Sequence, residues 1–226
     1  MANENGTKEY DRSAQKRRAI IDAAWQIFSR HGYERTTVDA IQSVCGGSKS
    51  TIYSYFKSKE ELFLEVSFAK AKDLSARAFL HFPTRDDLPG ALFDFSVNYL
   101  HFYLASELIE IFRLAASEAK RMRFGRMLYE KCFKICWGKV AAYLEERLEP
   151  ERMLPGGGWT AAMHLRGLLD GDILLQHSWG IMEELPPEAY QAMAATAVTA
   201  FLRIYAPEHV SGLKVAAFPE NVVRGK

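Results

Sequence analysis

Ser48, Lys49, Ser50, Thr51, Tyr53, Ser54 and Tyr55 crowd into one short stretch whose remaining members, Ile52 and Phe56, are apolar. On a helix, Ile52 and Phe56 share one face and turn inward. The hydroxyls, the two phenols and the single ammonium are then left outside. Such groups hydrogen-bond phosphate oxygens and base edges in a DNA groove. They make no nucleophile–base pair. Just upstream, Thr36 reads as a helix cap, with Asp39 three residues on reaching back toward it in a capping box. Thr37 adds a second hydroxyl at that helix start, and Lys57 and Lys59 add cations beyond Phe56.

Three helices must hold these groups in place. Val38, Ile41, Val44 and Cys45 give the first an apolar face. Gly46-Gly47 breaks it, and Ser48 caps the second. Ser58-x-x-Glu61 is another capping box, opening a long third helix. The pattern is helix–turn–helix. A solvated helical hairpin would read the same way, so charge decides between them. Residues 12–59 hold nine Lys or Arg against three acids, a balance of +6 in a chain whose net charge is +1. Positive charge gathered on one small unit is the footprint of a phosphate binder.

Residues 13–65 resemble the N-terminal domain of TetR-family transcriptional regulators. The resemblance is carried by Lys16-Arg17-Arg18, by Ile20, Ala23, Ala24, Ile27 and Phe28, by Gly32-Tyr33, by Thr36-Thr37, and by the run from Ser48 to Leu62. It implies phosphate contacts by Thr37, Tyr55 and Lys59, and a base-reading position for Lys49, Ser50, Thr51 and Tyr53. Gly47 departs from the family, which usually has an apolar residue there. Losing that packing is expected to loosen the recognition helix by about 1 kcal/mol. Residues 1–11 read as a flexible arm, and 12–62 as the DNA-binding domain with its helix–turn–helix at 36–55.

The remainder, 63–206, reads as one larger helical domain for ligand binding and dimerisation, followed by a tail at 207–226. Helices are expected to end near Leu80 and to span about 89–104, 107–120, 124–148, 160–179 and 187–205. Residues 79–137 contain twelve aromatics, a density well above the 12% of the whole chain. Phe95, Tyr99, Phe102, Tyr103, Phe112, Phe133 and Trp137 are the candidate walls of an effector pocket, with His101, Arg113, Ser117 and Glu118 as polar partners. No Lys or Arg lies between Pro89 and Leu104, so the expected guest is apolar, ring-containing, and neutral or cationic. Residues 111–121 resemble the AefR-like branch of the family.

Small residues on the last two helices allow close approach. The resemblance implies that these helices form a homodimer interface, with Leu165, Leu168, Leu169, Ala194, Ala197 and Phe201 as candidates. Asp170 and Asp172, between His164 and His177, spread around the helix axis and read as solvated or interface residues rather than a metal site. Cys132 and Cys136 lie one turn apart on one helix and, like Cys45, read as reduced core thiols; no cofactor is implied. No apolar run reaches the roughly 18 residues of a bilayer span, and no signal peptide is seen, so a cytoplasmic protein is expected. The whole reads as an all-α, dimeric regulator that binds an operator in double-stranded DNA and is released by a small effector. An enzyme or carrier with an incidental helix–turn–helix is the alternative.

Overall fold

The computed structural model describes residues 4–79, 82–83, 85–117, 124–171, 173–181 and 185–212, and every regular element among them is helical. The chain divides into two compact units, residues 1–71 with 114–124, and residues 72–113 with 125–226. No helix among the described residues is long and apolar enough to cross a membrane.

The first unit is built from α1 (Glu4–Arg35), α2 (Val38–Cys45), α3 (Lys49–Tyr55) and the start of α4 (Lys59–Phe79). Helix α1 begins at Glu4, inside the segment expected to be an arm, because nothing between there and His31 stops a helix except a lone Gly6. It breaks at Gly32, whose φ of 72° turns the chain toward α2 at a position few other residues tolerate. Ile20, Ala24 and Phe28 of α1 are buried, as are Ile41, Ile52, Phe56 and Phe63. Phe63 sits edge-on to both Phe28 and Tyr33, with ring centroids 5.1 Å apart in each pair. This core fixes the angles at which α2 and α3 leave α1. One expectation fails: Val44 is 49% exposed rather than part of the α2 apolar face. Six residues after Val38, it stands roughly 120° round the axis.

The second unit holds the end of α4, α5 (Leu88–Tyr103), most of α6 (Ser106–Ser117), α7 (Phe124–Leu128) from Gly125 on, a π-helical turn (Tyr129–Phe133), α8 (Lys134–Arg147), α9 (Gly157–Asp170), α10 (Ile173–Ser178) and α11 (Pro187–Tyr205). Helix α11 packs on α5 and α9, and α8 packs on α9. Asp87 caps α5 by accepting the Gly90 N–H at 2.8 Å, and this bond holds its carboxyl below the ordinary value. The helix expected over 124–148 runs through a π-helical turn between α7 and α8, whereas the one expected over 160–179 is broken by Gly171 (φ 44°) between α9 and α10. Gly157 opens α9 three residues before its expected start. A side chain at Gly158 would put its Cβ 2.1 Å from the Ala141 carbonyl of α8. The glycine is there so that two helices can touch.

Candidate nucleic-acid interface and effector site

The groups at the start of α2 are ordered differently from their expected roles. Thr37 is the cap: its Oγ1 accepts the Ala40 N–H at 3.2 Å. Thr36 is buried, and its hydroxyl donates to the Gly32 carbonyl at 2.7 Å, so it anchors the end of α1 and offers DNA nothing. Asp39 does not close a capping box. It pairs with Lys49 of α3 at 2.7 Å, a hydrogen bond and attraction that raise the ammonium's pKa.

Helix α3 presents the expected face. Ile52 and Phe56 are buried, while Lys49, Ser50, Tyr53 and Ser54 are exposed and Thr51 and Tyr55 half-exposed. Ser48 caps the helix, accepting the Thr51 N–H at 3.1 Å, with its hydroxyl also 2.6 Å from that of Ser50. The Tyr55 hydroxyl accepts from Ser13 of α1 at 3.3 Å. Lys59 is placed otherwise than as a free cation. Its ammonium donates to the carbonyls of Tyr33 at 2.9 Å and Thr36 at 3.0 Å and lies 4.3 Å from the Tyr33 ring centre. It ties α4 to the end of α1, so any phosphate contact must share it with these carbonyls. The second capping box forms one residue early. Ser58 accepts the Glu61 N–H at 3.1 Å, and Glu61 accepts the Lys57 N–H at 2.6 Å.

Two residues not expected at the turn hold it, one of them Lys16, read from the sequence as reaching toward the DNA backbone. Lys16 of α1 donates to the carbonyls of Cys45 and Gly46, each at 3.3 Å, and Gln42 donates to the Gly47 carbonyl at 3.1 Å. Gly47 itself is exposed, with φ 91° and the Lys16 ammonium 3.4 Å from where a Cβ would stand. The nearest atoms a Cβ there would meet belong to Lys16 and Thr51. A polar clamp serves this turn, and a β-branched residue at Gly47 would be strained. Nothing in the local sequence signals a lysine 29 residues upstream.

In the second unit the seven expected aromatics meet. Tyr99 lies 4.9 Å from Tyr103, 5.1 Å from Trp137, 6.0 Å from Phe95 and 6.5 Å from Phe102, centre to centre. Tyr103 continues to Phe112 at 5.7 Å, and Trp137 to Phe133 at 6.4 Å. Phe79, from the end of α4, touches Phe95 at 5.3 Å. The expected polar partners stand elsewhere. His101 is exposed and stacked on Tyr190 at 4.0 Å, and Arg113 pairs with Glu110 at 2.8 Å. The Ser117 side chain and Glu118 lie outside the described residues.

The polar centre of this cluster comes from α9. Asp170, read as solvated or at an interface, is 13% exposed and pairs with Arg166 at 2.6 Å. It also accepts from the Tyr99 hydroxyl at 2.9 Å and the Tyr103 hydroxyl at 3.4 Å. Arg166 donates to Tyr103 at 3.1 Å and covers the Phe133 ring at 5.1 Å. Burial pushes the Asp170 carboxyl up, partly offset by Arg166 and both phenols. Burial, then the Asp170 charge, hold the Tyr99 phenol well above its ordinary value, so it stays a donor. Burial alone would lower the Arg166 guanidinium, but Asp170 holds it up. The cluster therefore contains a cation that α5 does not supply, already paired with Asp170. The four-residue spacing of Arg166 and Asp170 in a mostly apolar helix is the signal that was there to read. Asp172 lies outside the described residues, His164 bonds the Tyr205 hydroxyl at 2.7 Å, and His177 the Leu104 carbonyl at 2.9 Å. Among the described residues no group of His, Cys, Asp or Glu is placed to hold a metal.

The expected interface residues need correcting. Leu165, Leu169, Ala194, Ala197 and Phe201 are each at most 4% exposed within a single chain, so they already belong to its own core. Leu168, at 40%, faces out, as do Leu175, Trp179, Ile181 and Ile204.

Comparison with known proteins agrees with this geometry. Residues 20–66 match the family described as bacterial regulatory proteins, tetR family, and residues 90–207 match the AefR-like transcriptional repressor C-terminal domain. An uncharacterised HTH-type transcriptional regulator of Bacillus subtilis, YhgD, is 36% identical over 66 residues, which are 29% of this chain and 35% of that protein. The crystal structure of a TetR-family regulator from Mesorhizobium loti superposes with a TM-score of 0.76 at 29% identity, covering 86% of this chain and 98% of that one. The flavonoid-responsive regulator FrrA superposes with a TM-score of 0.70 at 30% identity, again covering 86% and 98%. With a reader-domain match at one end and a C-terminal match over more than half of its length, the chain belongs to the TetR family of bacterial regulatory proteins.

Proposed function

We propose that this protein is a dimeric, effector-controlled repressor that binds an operator in double-stranded DNA and lets go when a small aromatic molecule enters the ring cluster. The observation that carries the reading is the exposed face of α3. Lys49, Ser50, Thr51, Tyr53 and Tyr55 stand on a helix capped by Ser48 and seated by two buried residues, in the most basic part of the chain. Thr37 and Tyr55 supply hydroxyls to phosphates, Lys49 to Tyr53 reach base edges, and Lys59 holds the frame. Residues 12–62 act as the reader domain and 63–206 as the effector and dimerisation domain, and the protein works in the cytoplasm, where its DNA is.

A twofold operator needs a twofold protein. Leu168 of α9, Leu175 of α10 and Ile204 of α11 are the exposed apolar side chains that a partner copy covers. Helix α4 opens beside the reader, capped by Ser58, and ends with Phe79 in the ring cluster. A guest that shifts Phe79 thus acts on the same helix that Lys59 anchors. A coupling of about 1–3 kcal/mol suffices for such control. FrrA, by its name, responds to flavonoids, which supports an aromatic effector here. Among the described residues of the ring cluster no nucleophile is paired with a base, so the enzyme reading has no observation in its favour.

The test is fluorescence anisotropy with DNA from upstream of the protein's own gene. Salt-dependent, sequence-selective binding that an aromatic extract component reverses is expected. Equal binding to every duplex, or none, refutes the proposal.

A further inference from the structure

The polar network inside the ring cluster exceeds what packing needs. Two opposite charges taken out of water seldom recover their desolvation cost, and apolar residues of similar size serve a core as well. Yet Arg166, 31% exposed, and Asp170, 13% exposed, sit 2.6 Å apart there, beside Tyr99, Tyr103 and Phe133. Asp170 is well supplied, taking the guanidinium and both phenols. Arg166 is not. Its Nε–H is buried and meets no acceptor, although the same group donates to Tyr103 at 3.1 Å and covers Phe133 at 5.1 Å. Buried donors without acceptors are rare in native proteins, and each asks for a reason.

We propose that the Arg166 Nε–H is the recognition donor of the effector site, and that its guest is an uncharged planar aromatic molecule bearing an acceptor oxygen. This rests on the ring cluster being the effector site. The guanidinium that carries this donor lies 5.1 Å from the Phe133 ring centre and 6.0 Å from that of Tyr103, so the acceptor it lacks arrives on something that stacks. Charge selects neutrality. Arg166 is already matched by Asp170, so a carboxylate guest sets a second negative charge beside Asp170, and an ammonium faces Arg166. A phenol, ether or ketone oxygen satisfies the donor and leaves the pair intact. Phe133, the ring that covers the guanidinium, closes the π-helical turn Tyr129–Phe133, where the helical hydrogen-bond ladder is irregular and easiest to shift.

Calorimetry on the full chain with naphthalene, 2-naphthol and 2-naphthoate tests this, because the three share one ring system. In the wild type, 2-naphthol should bind about tenfold tighter than either of the others. In Arg166→Met/Asp170→Asn, which removes both charges together, that advantage should shrink below about threefold while naphthalene still binds. Arg166→Lys keeps the charge beside Asp170 but removes the planar Nε donor, and it should lose the preference equally. Equal wild-type affinities for 2-naphthol and naphthalene overturn this proposal and leave the effector reading standing. So does tightest binding by 2-naphthoate, or an advantage that survives in Arg166→Lys. Failure of all three probes to bind the wild type removes the effector reading itself, and this proposal with it.

Discussion

Replacing Lys16 by Met keeps the aliphatic stem and deletes the ammonium that clamps the turn between α2 and α3. Two bonds are lost, to the carbonyls of Cys45 and Gly46, both at 3.3 Å and one of them exposed. A hydrogen bond of this kind contributes about 1 kcal/mol net. Their length and exposure argue for less, so about 1–2 kcal/mol in total is the expected loss of order in the turn. Because α3 is held on that side by the turn, most of this should appear in operator binding, as roughly a 5- to 30-fold weaker complex. The competing role for Lys16 is a direct phosphate contact, and salt dependence separates the two. Each phosphate neutralised contributes about 0.9 to the slope of log affinity against log salt. A clamp leaves that slope unchanged and weakens operator DNA more than random DNA. Anisotropy titrations between about 50 and 200 mM salt give both numbers. A slope shallower by about one, with equal losses on both DNAs, refutes the clamp and makes Lys16 a phosphate contact.

Tyr99→Phe removes a donor 2.9 Å from Asp170 and leaves a buried carboxylate oxygen short of a partner. The variant should lose about 1–3 kcal/mol of stability in denaturant titrations while keeping operator affinity, and unchanged stability would sink the account of that network. Leu168→Glu together with Ile204→Glu puts charge on the exposed apolar strip and should give monomers by sedimentation velocity; Phe201→Glu should instead unfold the second unit, because Phe201 is 0% exposed in one chain. A dimer that survives the first pair disproves the revised interface. Burial pushes the Cys132 thiol up to about 11, and the Cys136 thiol is raised for the same reason. Both therefore stay protonated near pH 8 in the folded protein and should react with a thiol reagent far more slowly than after unfolding; fast native labelling would contradict that.

The sequence by itself determined the reader. Caps, the glycine break and two inward residues are local signals, and each acts through neighbours within one or two turns, so Ser48, Ile52, Phe56 and the exposed hydroxyls fell where their spacing put them. Helix existence in the second unit was equally legible, because apolar periodicity reports a buried face wherever that face packs. What periodicity cannot report is which element covers it. Phe201 and Leu165 look the same in sequence whether a partner copy or α5 and α8 bury them, and only the tertiary structure decided for the chain's own core. Likewise Thr36 and Thr37 are identical residues side by side, and the break at Gly32 alone makes one a buried anchor and the other a cap. The clamp of Lys16, the engagement of Lys59 and the meeting of Arg166 and Asp170 with Tyr99 join residues 23 to 71 positions apart. Such contacts depend on helix crossing angles set by the whole core, and no local pattern carries them.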